Sequence, residues 1–147
     1  MAKCVEVMTR EPVSCEANDS IKHVSEVMKR EDVGAVPVVD SKSARRLIGI
    51  ITDRDIVVKV IAGGRDVTSA TVRDGMTSNP VSVREGQDVS EALSQMAERQ
   101  VRRMPVVDDE GRLVGIIAQA DVATRVNKDK TTGELVEAIS EPGNVRK

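Results

Sequence analysis

Apolar positions follow two rhythms along this chain, and each rhythm occurs twice. Ile21, Val24, Val27 and Met28 recur at the three- and four-residue spacing of one helix face, as do Val89, Ala92, Leu93 and Met96. Short continuous apolar runs predict strands at Val36-Pro37-Val38-Val39 and over 47–51, and again at Met104-Pro105-Val106-Val107 and over 113–117. Shorter strands are predicted at Pro12-Val13-Ser14-Cys15 and Pro80-Val81-Ser82-Val83, with proline at the entry, where its missing donor does little harm. Asp19 or Ser20, and Asp88 in the second copy, stand where a helix needs a cap. Asp109-Glu110-Gly111 is a hairpin signal. A further helix begins after Thr52, runs through Ile56, Val57, Val60 and Ile61, and stops at Gly63-Gly64. Each copy therefore reads strand, helix, strand, strand, helix.

The repetition extends to the letters. Met8-Thr9-Arg10-Glu11-Pro12-Val13-Ser14 answers to Met76-Thr77-Ser78-Asn79-Pro80-Val81-Ser82, and Val36-Pro37-Val38-Val39-Asp40 to Met104-Pro105-Val106-Val107-Asp108, at one constant offset. Gly49-Ile50-Ile51-Thr52-Asp53-Arg54-Asp55 then matches Gly115-Ile116-Ile117-Ala118-Gln119-Ala120-Asp121 after a short trim in a surface turn. Two supersecondary units of this kind must bury their apolar faces. The expected fold is α/β of the α+β type, two tandem βαββα motifs with sheets packed against helices. The expected boundaries are a first motif at 1–64, a linker at 65–71, a second motif at 72–126, and a polar segment with a short amphipathic C-terminal helix or tail at 127–147. Shared core letters report packing, whereas unlike polar letters report what each unit does.

Composition narrows the function classes. The chain has 147 residues, 39% apolar and 31% charged, with a net charge of −2. It contains no Phe, Trp or Tyr, so its core is aliphatic, built from Val, Ile, Leu, Ala and six Met. Single-stranded nucleic acid is usually stacked on aromatic rings, and duplex DNA asks for a basic face; neither is offered, so no nucleic-acid partner is expected. No apolar run reaches membrane-spanning length and no signal-peptide pattern opens the chain, so no membrane association and a cytoplasmic location are expected. Cys4, Cys15 and the lone His23 match no structural zinc spacing. Cys15 holds the repeat position of Val83 and should behave as a small core hydrophobe, while His23 should face solvent. No nucleophile is paired with a base, so no enzymatic activity is expected.

The chemistry concentrates in Gly49-x-x-Thr52-x-x-Asp55. Gly49 lets another backbone approach its strand closely. Thr52 ends that strand at a helix start, where free N–H groups favour phosphate, and Asp55 offers a carboxylate to a ribose diol. The same Thr-x-x-Asp spacing is also that of a capping box, and the two roles are compatible.

The twin Met-Thr-x-x-Pro-Val openings, the twin Pro-Val-Val-Asp strands and Gly49-Ile50-Ile51-Thr52-Asp53-Arg54-Asp55 together resemble the cystathionine β-synthase (CBS) domain pair, or Bateman module, over residues 5–126. The resemblance implies a pseudo-twofold pair of βαββα units, a regulatory role, binding of adenosyl ligands (AMP, ADP, ATP or S-adenosylmethionine) without an obligatory cofactor or metal, and a homodimer, with a regulated protein as a further partner. Carried over residue by residue, it implies one competent site: ribose on Asp55, phosphate on Thr52, Arg102 and Arg103, and the base against Ile50, Val81 and Ser82. A second site would join Asp121 to Val13, Ser14 and the turn Gly34-Ala35. There Ala118 replaces the threonine and no arginine stands in the turn, so a nucleoside, a weaker ligand or nothing is expected. A scaffold with vestigial clefts is the alternative. Val57, Val58, Ile61, Val122 and Val126 exceed what one helix face needs, and form either a dimer face or part of the monomer's core.

Overall fold

The computed structural model describes residues 2–125. In chain order its elements are α1 (Cys4–Val7), β1 (Thr9–Arg10), β2 (Cys15–Glu16), α2 (Ile21–Glu31), β3 (Ala35–Val39), β4 (Leu47–Thr52), α3 (Asp53–Asp55) continuing into a π-helix (Ile56–Ile61), a 3-10 turn (Val72–Asp74), β5 (Thr77–Ser78), β6 (Val83–Arg84), α4 (Val89–Arg99), β7 (Arg103–Val107), β8 (Leu113–Ala118) and α5 (Gln119–Arg125). The amphipathic segment expected at 134–139 lies outside the described residues. The chain divides into two compact units, Val13–Pro80 and the residues up to Pro12 together with those from Val81 onward.

In the 13–80 unit a four-stranded sheet runs in the order β2-β3-β4-β5, with β2 and β3 parallel and the other neighbours antiparallel. Ile21, Val24, Val27 and Met28 of α2 pack with Cys15, Val36, Val38 and Ile51 of the strands and with Ile56 and Val60. These are the apolar positions that the two rhythms select. Burial of each such side chain contributes about 1.5–3 kcal/mol. Of the two expected caps Ser20 does the work: its hydroxyl accepts from the His23 N–H at 3.0 Å, while Asp19 accepts from the Glu16 N–H at 2.8 Å. His23 is exposed, as expected.

The other unit repeats the plan with the sheet order β1-β8-β7-β6, β6 and β7 parallel and the rest antiparallel. Val89, Ala92, Leu93 and Met96 of α4 meet Val83, Met104, Val106 and Ile117, joined by Cys4, Val7 and Met8. Asp88 occupies the N-cap of α4 without a side-chain cap bond, and its carboxylate takes the Lys3 ammonium at 2.7 Å.

The opening segments are exchanged. β1, from the first sequence repeat, pairs with Ile116 and Gly115, while β5, from the second, pairs with Ile50 and Gly49. The residues before them follow: the Val89 N–H donates to Ala2 O at 2.8 Å and the Ile21 N–H to Ala70 O at 3.0 Å. Residues 65–71, read from the sequence as a linker, thus deliver Ala70 to the core of the 13–80 unit. Without β5 and β1, the outer edges of β4 and β8 would present unpaired N–H and C=O groups.

The helix after Thr52 departs from the expected α-helix. The Ala62 N–H donates to Val57 O at 2.8 Å, five residues back, which defines the π-helix. A Cβ on Gly63 would fall on Lys59 O, so glycine is required where this run ends. Val57, Val58 and Ile61 are 55%, 46% and 56% exposed, whereas Val122 is fully buried in its own unit. Val122 therefore fills a core and is no part of a docking face; Val126 lies outside the described residues. Among the described residues no helix is long and apolar enough to cross a membrane.

Candidate functional site

In the 13–80 unit β4 delivers Gly49, Ile50 and Thr52 in register. A Cβ on Gly49 would stand 2.9 Å from Thr77 O, so the close backbone approach expected at this glycine is made by β5. At the strand end the Asp55 N–H donates to Thr52 Oγ1 and the Thr52 N–H donates to Asp55 Oδ2, each at 3.0 Å. This reciprocal box satisfies two N–H groups at the helix start and fixes the carboxylate's orientation. The other oxygen, Oδ1, lies 3.4 Å from Lys59 Nζ, which also donates to Thr77 Oγ1 at 3.3 Å. The Asp55 side chain remains 17% exposed. The turn Gly34-Ala35 adjoins this end, since the Asp53 N–H donates to Gly34 O at 2.9 Å and Ala35 pairs with Thr52. Arg54 is exposed, Ile50, Val13 and Ser14 are half-buried, and the Ser14 hydroxyl accepts from Arg45 at 3.5 Å.

The second unit builds the corresponding end with different letters. Ala118 ends β8 and leaves no hydroxyl to cap α5. Asp121 instead accepts from Thr9 Oγ1 at 3.3 Å. Arg103 pairs with Ala118 in the ladder, and Arg102 O accepts from the Gln119 N–H at 3.0 Å. Both arginines are exposed, while Val81 and Ser82 are half-buried. Thus Thr52, Asp55, Ile50, Val13 and Ser14 belong to one unit, and Asp121, Arg102, Arg103, Val81 and Ser82 to the other.

Three side chains were absent from the sequence-based site: Thr77, Thr9 and Lys59. The threonines carry a legible signal, being the repeated letter of Met8-Thr9 and Met76-Thr77. Lys59 follows Asp55 at helical spacing, a signal too common to single out by itself.

Cys4 and Cys15 are buried, one in each unit. Burial pushes the Cys4 thiol up to about 11 and the Cys15 thiol up to about 12, with nearby carboxylates adding to the effect. Cys15 is the core hydrophobe that its repeat position indicates. Among the described residues no cluster of three or more His, Cys, Asp or Glu side chains is arranged to hold a metal.

Two βαββα units with exchanged opening strands, each ending its third strand at a carboxylate-bearing helix start, define a tandem α/β architecture with one such polar end in each unit. The CBS domain family matches residues 4–62 and 67–128, and the chain belongs to that family. It is 37% identical over 144 residues to the uncharacterized protein YlbB of Bacillus subtilis, covering 98% of this chain and 95% of that one. Among solved structures it resembles Hypoxic Response Protein I with two coordinated zinc ions (TM-score 0.76, 32% identity, 84% of this chain and 98% of that chain). It also resembles the CBS domain pair of protein MJ0100 in complex with 5-methylthioadenosine and S-adenosyl-L-methionine (TM-score 0.74, 25% identity, 88% and 99%).

Proposed function

We propose that this chain is a regulatory, non-enzymatic module of the cytoplasm that binds an adenosyl compound and signals through self-assembly or a protein partner. Asp55 takes the ribose diol. In the 13–80 unit Thr52 takes phosphate and the base rests on Ile50; in the other unit Arg102 and Arg103 offer guanidiniums to a phosphate, and Val81 and Ser82 a rest for a base. The second place, around Asp121, lacks the threonine hydroxyl and takes a nucleoside or nothing. The observation that carries this reading is the largely covered but still accessible Asp55 carboxylate, held in a fixed orientation at a strand end. Kinship with a CBS pair solved with two adenosyl ligands supports the ligand class.

Isothermal titration with AMP, ATP and S-adenosylmethionine tests it. Asp55→Asn keeps an oxygen for the Thr52 N–H and removes the charge, while Arg103→Ala removes an exposed guanidinium without touching the core. Loss of one charge-assisted contact corresponds to about 1.5–3 kcal/mol, roughly tenfold or more in affinity. Equal binding by wild type and both variants removes the site. One observation favours a second reading, that of a dimer scaffold: the exposed Val57, Val58 and Ile61 on the π-helix.

A further inference from the structure

We infer that Lys59 is a specificity-determining residue: a ligand that takes Asp55 gains by bringing an anion of its own to the Lys59 ammonium, so the 13–80 unit favours phosphorylated adenosyl compounds over neutral or cationic ones. The inference rests on the adenosyl reading above and goes beyond it by naming a residue outside the expected site.

Both oxygens of Asp55 are engaged within the unit. Oδ2 is committed to the Thr52 N–H at 3.0 Å, and the box leaves the carboxylate no other orientation without losing its cap. Oδ1, the oxygen open to a diol, is the one that Lys59 Nζ approaches at 3.4 Å. Lys59 is anchored a second time by Thr77 Oγ1 at 3.3 Å, and Thr77 is itself fixed by the β5 ladder against Gly49 and Ile50. The ammonium is therefore stationed beside the carboxylate by two partners rather than swinging free, although its side chain is 44% exposed. The contrast with the other unit is direct. Thr9, the repeat counterpart of Thr77, donates to the Asp121 carboxylate itself, whereas Thr77 meets the lysine.

A ribose hydroxyl that donates to Oδ1 competes with Lys59 for it. A neutral nucleoside draws on the same carboxylate and offers the ammonium nothing in return. A sulfonium brings a second positive charge to the same place. A 5′-phosphate offers the displaced ammonium a stronger partner, a charge-assisted bond in place of a loose pair. Coulomb attraction at such half-covered positions is intermediate between bulk water and interior, enough for about a tenfold discrimination.

The test is calorimetric titration of the full chain with AMP, adenosine and S-adenosylmethionine, using wild type, Lys59→Met and Lys59→Arg. Lys59→Met is expected to weaken AMP and strengthen adenosine and S-adenosylmethionine, shrinking the AMP-to-adenosine affinity ratio about tenfold. Lys59→Arg keeps the ratio. If wild type binds AMP but the ratio is unchanged in Lys59→Met, or if wild type takes adenosine as tightly as AMP, the role of Lys59 is overturned while the adenosyl reading stands. If wild type binds none of the three, that reading falls and this inference with it.

Discussion

Gly49→Ala is the perturbation that most directly probes how the site is assembled. The added Cβ would stand 2.9 Å from Thr77 O and 3.0 Å from Met76 Sδ. The thioether can swing aside, since methionine is flexible. The carbonyl cannot, because it belongs to β5, whose register sets Ser78 against Gly49 and Thr77 against Ile50. Relief therefore requires β5 to move away from β4. Overpacking of this kind costs about 1–3 kcal/mol, and each weakened ladder bond adds about 1 kcal/mol. We expect a total near 2–3 kcal/mol, or a fall in Tm on the order of 10 °C for a unit of this size. The chain has no aromatic residue to report by fluorescence, so the assay is urea unfolding followed by far-UV circular dichroism. Gly86→Ala is the matched control: its Cβ meets nothing within 4 Å, and its backbone is not left-handed. Its midpoint should stay within about 0.5 kcal/mol of wild type. The reasoning is refuted if Gly49→Ala is as mild as Gly86→Ala, because β5 would then not be held against Gly49.

Other expectations follow from single contacts. Ser20→Ala removes the acceptor for the His23 N–H and should lower stability by about 1 kcal/mol in the same urea assay, whereas an unchanged midpoint would show that another group caps α2. The two thiols ionise later in the folded chain, at about 11 and about 12, than at their ordinary value of 9.0. Above pH 9 the unfolded chain releases those protons first, so stability should fall as pH rises from there toward 12, and replacing both cysteines by Ala should flatten that slope. Below pH 9 neither thiol should react with a disulfide reagent faster than the chain opens. Val57→Asp combined with Ile61→Asp places charge on the exposed π-helix face and should reduce self-association in sedimentation at micromolar concentration while leaving the Tm of the monomer unchanged. A mass distribution identical to wild type would move the assembly surface elsewhere.

Much of this molecule is legible in its letters because packing repeats. Identical apolar spacing in Ile21 to Met28 and in Val89 to Met96 can serve one helix face only, and both stretches are the buried faces of α2 and α4. Gly49 announces a close backbone, and Thr52-x-x-Asp55 a capped strand end, because glycine and the box residues are needed for local reasons that hold in any context. Lys59 escaped because it is ordinary in its own segment, and Thr77 because its repeated letter does not say which side chain it meets. Their meeting depends on β5 returning to the edge of β4.

The sequence by itself determined two βαββα copies, an aliphatic core in each, and a helix start carrying Thr52 and Asp55, since helix and strand periodicity depend only on near neighbours. Tertiary structure alone decided which copy each opening strand completes, because a repeated Met-Thr strand fits the edges of β4 and β8 equally by its letters. It also decided that Val122 is core while Val57, Val58 and Ile61 are surface, and that the helix after Asp55 winds as a π-helix. Those outcomes follow from which backbone edge and which apolar face is left to be covered once all the elements have packed, a property of the assembled unit that no local window contains.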